Sequence, residues 1–248
     1  MDLQLHGLRA LVTGGSAGIG AAIVRALAAE GCEVAFCARQ PERLQACLAD
    51  LQAAGLPGAL QARALDVCQP GAFEAWLEEL GSLDILVLNV SALSSDWAQA
   101  LDVDLRATVR CAEAALPLLR RSKHGALTYI GSKAGSLAAP NSAAYGAAKA
   151  ALAHYMKSLS ARVLPEVRVN TVSPGDTWVA DGLWGRVQEQ EPEIYARVLQ
   201  RNPLAAAGPP GRNRPGGLLC LQPGGQLCGR RQLVCRWRFD RPCPVLVC

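Results

Sequence analysis

Leu8-Arg9-Ala10-Leu11-Val12-Thr13-Gly14-Gly15-Ser16-Ala17-Gly18-Ile19-Gly20 decides how this chain folds. Residues 8–12 are a short apolar run that reads as a strand, residues 13–20 are a glycine-rich turn, and an amphipathic helix continues to about Glu30. Strand, glycine turn and helix in that order form a phosphate-binding unit. Glycines let the backbone approach a pyrophosphate, and the helix amino terminus directs free N–H groups and a positive dipole end at it. Gly14, Ser16, Gly18, Ile19 and Gly20 are therefore candidate cofactor-binding residues.

The same punctuation recurs along the chain. Residues 33–37 form a second strand that ends at Ala38-Arg39, residues 58–65 lead to Asp66-Val67, and residues 83–88 lead to Asn89. Each polar group sits just past a strand, where a doubly wound sheet binds its ligand. An NAD site usually places an acid after the second strand to hold the ribose hydroxyls. Here Arg39 stands instead, facing the place of a 2′-phosphate, and this favours NADP(H). Arg39 as a plain surface charge before the helix near Pro41 is the simpler alternative.

A second cluster lies at residues 132–149. Tyr145 and Lys149 are four apart in an alanine-rich run, so on a helix they share a face one turn apart. A tyrosine titrates near pH 10, and a neighbouring ammonium favours the phenolate and lowers that value. Tyr145 could then exchange a proton with a substrate oxygen. Ser132 closes the apolar run of residues 126–131, a buried strand by its pattern, and its hydroxyl could polarise a carbonyl.

Taken together, these motifs resemble the short-chain dehydrogenase/reductase family over roughly residues 7–204. T-G-G-S-A-G-I-G is similar to the family's T-G-x-x-x-G-I-G loop, and Ser132, Tyr145 and Lys149 fall on its S…Y-x-x-x-K pattern. Asp66-Val67 matches the acid-apolar pair beside the adenine. Asn170-Thr171-Val172-Ser173-Pro174-Gly175 matches the N-x-V-x-P-G segment bordering the nicotinamide, which adds Pro174 and Gly175 to the cofactor site. The resemblance implies a three-layer, doubly wound parallel α/β sheet of Rossmann type. It implies an NADP-dependent oxidoreductase that moves a hydride between C4 of the nicotinamide and a carbonyl or secondary alcohol carbon. Ser132 would orient the substrate oxygen, Tyr145 would act as general acid or base, and Lys149 would lower its pKa and hold the ribose. Trp178, Val179, Leu183 and Trp184 would form an apolar lid suited to a hydrophobic ketone or 3-oxoacyl group, or would pack in an oligomer contact.

Three departures from the family pattern stand out. The N-N-A-G segment appears as Asn89-Val90-Ser91-Ala92, and the following link, residues 93–97, is short, which opens the mouth of the site. The fourth catalytic position, an asparagine in the family, falls on Asp104. Its charge opposes Lys149 if it faces inward; it reads equally well as a helix carboxylate facing water. With these changes on functional elements, the alternative reading is a cofactor-binding protein with little or no turnover.

The third departure is the tail. Residues 1–204 read as the NADP-binding and catalytic domain, and residues 205–248 as an irregular basic tail in place of the family's last helix and strand, leaving six strands instead of seven. Of 25 basic and 21 acidic residues, seven arginines and one acid lie from Gly211 onward, so the body carries 18 and 20 and is mildly acidic. The tail's cysteines lack metal-ligand spacing, and neither a metal nor a nucleic-acid partner is expected. Homo-oligomers, usual for the family, are weakened by this tail. Cys32, Cys37, Cys47, Cys68 and Cys111 read as small core residues or free thiols. Half the residues are hydrophobic, enough for a sizeable core, yet no apolar run reaches the roughly 18 residues of a membrane helix and no leader opens the chain. A cytoplasmic protein with a small-molecule substrate and no membrane partner is the expectation.

Reading residues 231–240 one base late in each codon permits A-N-L-x-V-D-G-G-L-T, the missing family ending. The same register permits E-E-I-A at residues 211–214 and F-x-A-S at 218–221, which favours a change of frame near residues 205–210. Restoring that frame should raise the thermal unfolding temperature and the activity. Resequencing the gene and comparing the two chains checks this, and a protease-resistant tail with no gain from the restored frame would refute it.

Overall fold

The computed structural model describes residues 3–174, 177, 183–201 and 232–235. Strands and helices alternate: β1 (Arg9–Thr13), α1 (Gly18–Ala29), β2 (Glu33–Ala38), α2 (Pro41–Ala53), β3 (Leu60–Ala64), α3 (Ala72–Leu80) and β4 (Ile85–Leu88). A long helical rod follows, with one α turn, α4 (Trp97–Gln99), a π-helical stretch (Ala100–Ala107) and α5 (Thr108–Arg121). Then come β5 (Ala126–Ile130), α6 (Ala143–Val163), β6 (Arg168–Pro174), α7 (Leu183–Gln190), α8 (Pro192–Arg201) and β7 (Gln232–Cys235).

All strands are parallel, in the order β3-β2-β1-β4-β5-β6-β7. The order reverses between β1 and β4, so their outgoing loops part and leave a crevice at the carboxyl edge. Six of these strands are the doubly wound sheet that the sequence implies. The expectation of six strands is corrected: β7 pairs with β6 from Thr171↔Gln232 to Pro174↔Cys235, so among the described residues the sheet has seven strands. The β7 backbone supplies the groups that β6 would otherwise leave unpaired. The rest of the expected irregular tail, residues 205–231 and 236–248, lies outside the described residues.

A parallel sheet is covered on both faces, so its central strands are largely apolar. On one face Leu11, Leu86, Leu127 and Tyr129 pack with Phe73 and Trp76 of α3, Cys111 and Leu119 of α5, and Leu152 and Met156 of α6. On the other, Val12, Phe36 and Val87 pack with Ile23, Val24 and Leu27 of α1 and Leu44 and Leu51 of α2. Each such large side chain, fully buried, contributes about 1.5–3 kcal/mol. This is the three-layer architecture, and it fixes the ends of β1, β4 and β5 relative to one another.

The first of these ends needs glycine. Gly14 takes a positive φ of 67°, which turns the chain from β1 towards α1. Gly20 lies so close to the same turn that a Cβ there would stand 2.0 Å from the Gly14 carbonyl oxygen and 2.6 Å from Asn89 Nδ2. Gly20→Ala is therefore expected to cost about 1–3 kcal/mol of stability and to weaken dinucleotide binding together with it. Denaturant unfolding reads the first effect, and an unchanged midpoint would show that the turn has room to yield.

Candidate active site

The site is built where β1, β4 and β5 end. Thr13, the last residue of β1, accepts hydrogen bonds through Oγ1 from the Asn89 and Val90 backbone N–H groups (3.0 and 3.4 Å) and donates to the Val87 carbonyl. Asn89 Nδ2 donates to the Gly14 carbonyl at 3.0 Å. Two loops that diverge from neighbouring strands are thus tied together. Beside them, α1 begins at Gly18 with Ala17 before it, which offers no side-chain cap, and with no acid in its first turn. Its leading N–H groups and dipole are left for an external anion, which fits the pyrophosphate of a dinucleotide.

Farther along the crevice, Asp66 Oδ1 accepts from the Cys68 N–H at 2.8 Å, so the turn after β3 is held by its own carboxylate. Val67 is buried, and its carbonyl accepts a hydrogen bond from the Arg110 guanidinium of α5. Arg39 is exposed just past β2, and its charge, with that of Arg110, reaches the half-buried Cys68 thiol. Burial and the Asp66 carboxylate outweigh both cations there and push that thiol up. The expected core thiols Cys32 and Cys37 are buried, and burial pushes each up to about 12, so they stay protonated.

The second cluster converges from three elements. Ser132 follows β5 and opens a short 3-10 turn (Lys133–Gly135), accepting the Ala134 N–H at 3.2 Å. Its hydroxyl also bonds the hydroxyl of Tyr145, in the first turn of α6. Lys149, one turn later, is 2% exposed and donates from Nζ to the Ile130 carbonyl at 3.4 Å. Its ammonium lies 5.5 Å from the centre of the Tyr145 ring and 5.2 Å from that of Tyr129. Asp104 is 0% exposed, with Oδ1 3.3 Å from Lys149 Nζ and Oδ2 accepting the Ala92 N–H at 3.1 Å.

The inward orientation of Asp104 settles the alternative of a solvated carboxylate. Its helical stretch is π-wound, with Ala100, Asp104 and Ala107 buried and Asp102 and Arg106 exposed. Ala100 packs against Ala144 and Ala148 of α6, and these small side chains let the two helices approach until the carboxylate reaches the lysine.

This arrangement corrects one expectation. The Tyr145 phenol is held above its usual value, not below it: burial raises it most, the hydrogen bond from Ser132 opposes, and the Asp104 charge raises it further. Burial likewise lowers the Lys149 ammonium, while Asp104 restores part of its charge preference.

Of the residues singled out by sequence, Ser132, Tyr145, Lys149 and Asp104 meet in one cluster. Gly14 and Ser16 lie in the turn after β1, Gly18, Ile19 and Gly20 open α1, Asn89 follows β4 and bonds the Gly14 carbonyl, and Pro174 ends β6. Gly175, Trp178 and Val179 lie outside the described residues, as does the Leu183 side chain; Trp184 is half-buried on α7. Thr13, Arg110 and Tyr129 were missed. A hydroxyl directly before the glycine turn was a usable signal for the first, and a lone phenol in an aliphatic strand for the last.

Residues 9–189 match the family described as short chain dehydrogenase. The chain belongs to that family. It is 31% identical over 222 residues to a tropinone reductase homolog of Arabidopsis thaliana, covering 84% of this chain and 82% of that one. It is 33% identical over 187 residues to the 3-oxoacyl-[acyl-carrier-protein] reductase of Escherichia coli, covering 70% and 75%. The structure of L-sorbose reductase from Gluconobacter frateurii complexed with NADPH and L-sorbose superposes with a TM-score of 0.72 at 28% identity, covering 81% and 82%. The family is one of oxidoreductases, and among the described residues no helix of this member is long and apolar enough to cross a membrane.

Proposed function

We propose that this chain is an NADP(H)-dependent oxidoreductase acting on a hydrophobic carbonyl or the matching secondary alcohol, a ketone or 3-oxoacyl group. The observation that carries this is the meeting of Ser132, Tyr145 and Lys149 at the carboxyl edge of the sheet, beside an uncapped helix amino terminus. The reductases similar to this chain, one of them bound to NADPH, support it. Exposed Leu93, Trp97 and Leu137 follow β4 and β5 and give the outgoing loops an apolar character.

NADPH held at the α1 terminus would supply the hydride. Ser132 holds the substrate oxygen through its hydroxyl. As the carbonyl carbon gains the hydride, the Tyr145 O–H bond breaks and its proton passes to that oxygen, giving the alcohol. Lys149 places a positive charge beneath the Tyr145 ring and offers N–H donors to the cofactor ribose. Asn89, Asp66, Val67 and Pro174 border the cofactor in this reading. Arg39, exposed just past β2, receives the 2′-phosphate.

A cofactor-binding chain with little turnover is the second reading, and the buried Asp104 carboxylate facing Lys149 is what favours it. Purified protein mixed with NADPH and then with a panel of ketones separates the two, since binding without oxidation of the cofactor would select the second.

Two variants examine the residues themselves. NADPH should bind more tightly than NADH by about 1.5–3 kcal/mol if the charge-assisted contact forms, and Arg39→Ala should narrow the gap. Equal affinities in the unmutated chain would remove the NADP assignment. Tyr145→Phe should leave NADPH binding intact and lower turnover by roughly a hundredfold or more, whereas Lys149→Ala should damage both. Undiminished turnover in Tyr145→Phe would place the chemistry elsewhere.

A further inference from the structure

The Asp104–Lys149 pair is sealed from water, and it adjoins the one hydroxyl assigned to move a proton. An ammonium alone in that position would stabilise a phenolate on Tyr145, leaving the cluster neutral. With Asp104 present the cluster is already neutral while Tyr145 keeps its proton. Losing that proton would leave a net negative charge among groups with almost no solvent, an arrangement that low local dielectric penalises.

We infer that Asp104 is a positioning residue that keeps Tyr145 in its protonated form through neutral pH, so that the site reduces carbonyls near neutrality and oxidises alcohols only in alkaline solution. The inference rests on the proposed function for its chemical direction, and on geometry for its electrostatics. Asp104 Oδ1 accepts no aligned hydrogen bond among the described residues and is compensated by the ammonium 3.3 Å away. The carboxylate is therefore spent on Lys149, and the lysine's charge is spent on it. Tyr129 completes the cluster from β5; it is 0% exposed, its hydroxyl has no partner among the described residues, and burial with Tyr145 and Asp104 nearby keeps it protonated.

The other ionisable groups on the surrounding elements do not offset the carboxylate. Asp102 and Arg106 of the π-helical stretch face solvent and pair with each other at 2.8 Å. On α6, His154, Tyr155, Lys157 and Arg162 stand two turns or more beyond Tyr145, with Tyr155 and Arg162 both bonded to Glu113. Lys133, on the turn after Ser132, is half-buried. Burial and Asp104 act on the Tyr145 phenol in the direction the geometry gives.

Asp104→Asn isolates the charge. An amide oxygen can still accept from the Ala92 N–H, so the loop after β4 keeps its anchor while the anion facing Lys149 disappears. The test is a phenolate absorbance titration of the full chain, with Tyr145→Phe in each background subtracted to leave the Tyr145 signal. In the unmutated chain Tyr145 should ionise above the ordinary value near pH 10. In Asp104→Asn its ionisation should move down by about one pH unit or more, and the rising limb of alcohol oxidation against pH should move with it. A Tyr145 that ionises at or below the ordinary value in the unmutated chain overturns the inference, as does an identical titration in both backgrounds. The titration needs no turnover. A chain showing the shift but neither binding nor oxidising NADPH would defeat the proposed function and leave the role of Asp104 standing.

Discussion

Parallel pairing is the constraint from which the rest of this structure follows. A strand that must run in the same direction as its neighbour cannot be reached by a tight turn, so each connection crosses back as a helix over one face of the sheet. Both faces are then covered, and most side chains of the central strands β1, β4 and β5 are apolar. Polar groups accumulate at the carboxyl ends, where Thr13, Asn89, Asp66 and Ser132 all stand. The crevice between β1 and β4 opens at the one point where the connections change direction. A change confined to the loops can then alter the ligand while the layers beneath stay the same.

Within that frame the electrostatics are set by how dry the cluster at β5 and α6 is. A lysine buried alone would shed its proton; Asp104 compensates it across 3.3 Å, and the backbone carbonyl of Ile130 takes a further N–H. Such pairs add little net stability, because desolvating two charges offsets most of their attraction. Their consequence is local. The same carboxylate that keeps the lysine charged raises the cost of a phenolate on Tyr145, and one oxygen atom of it also tethers Ala92 in the loop that flanks the crevice. Loop geometry and proton affinity are thereby joined in a single side chain.

The relatives show how widely such a frame is used. Tropinone reductase-like, 3-oxoacyl carrier-protein and L-sorbose reductases share it with this chain at 28–33% identity. The described part of this chain has the same overall fold as L-sorbose reductase, and its departures from the family pattern lie in the Asn89–Ala92 loop, at Asp104 and in the tail. Two of those three touch one another directly, through the hydrogen bond from Ala92 to Asp104. They are one altered contact seen at two places in the sequence.

What the sequence by itself determined was everything governed by short-range pattern. The βα unit at residues 8–20 follows from an apolar run and glycines, the Tyr145–Lys149 pairing from helical spacing, and the parallel sheet from polar residues recurring after apolar strands. Tertiary structure decided the rest. Helical periodicity could not say whether Asp104 faced water or Lys149, because that depends on π winding and on Ala100 meeting Ala144 and Ala148 of α6, far away in the chain, so that two helices close together. Nor could it give the direction of the Tyr145 shift, which is a sum of burial, Ser132 and Asp104 contributed by three elements. The seventh strand was beyond it for a like reason: the hydrogen bonds at Gln232–Cys235 come from β6, and a four-residue stretch with weak alternation forms a strand only when such an edge is waiting for it.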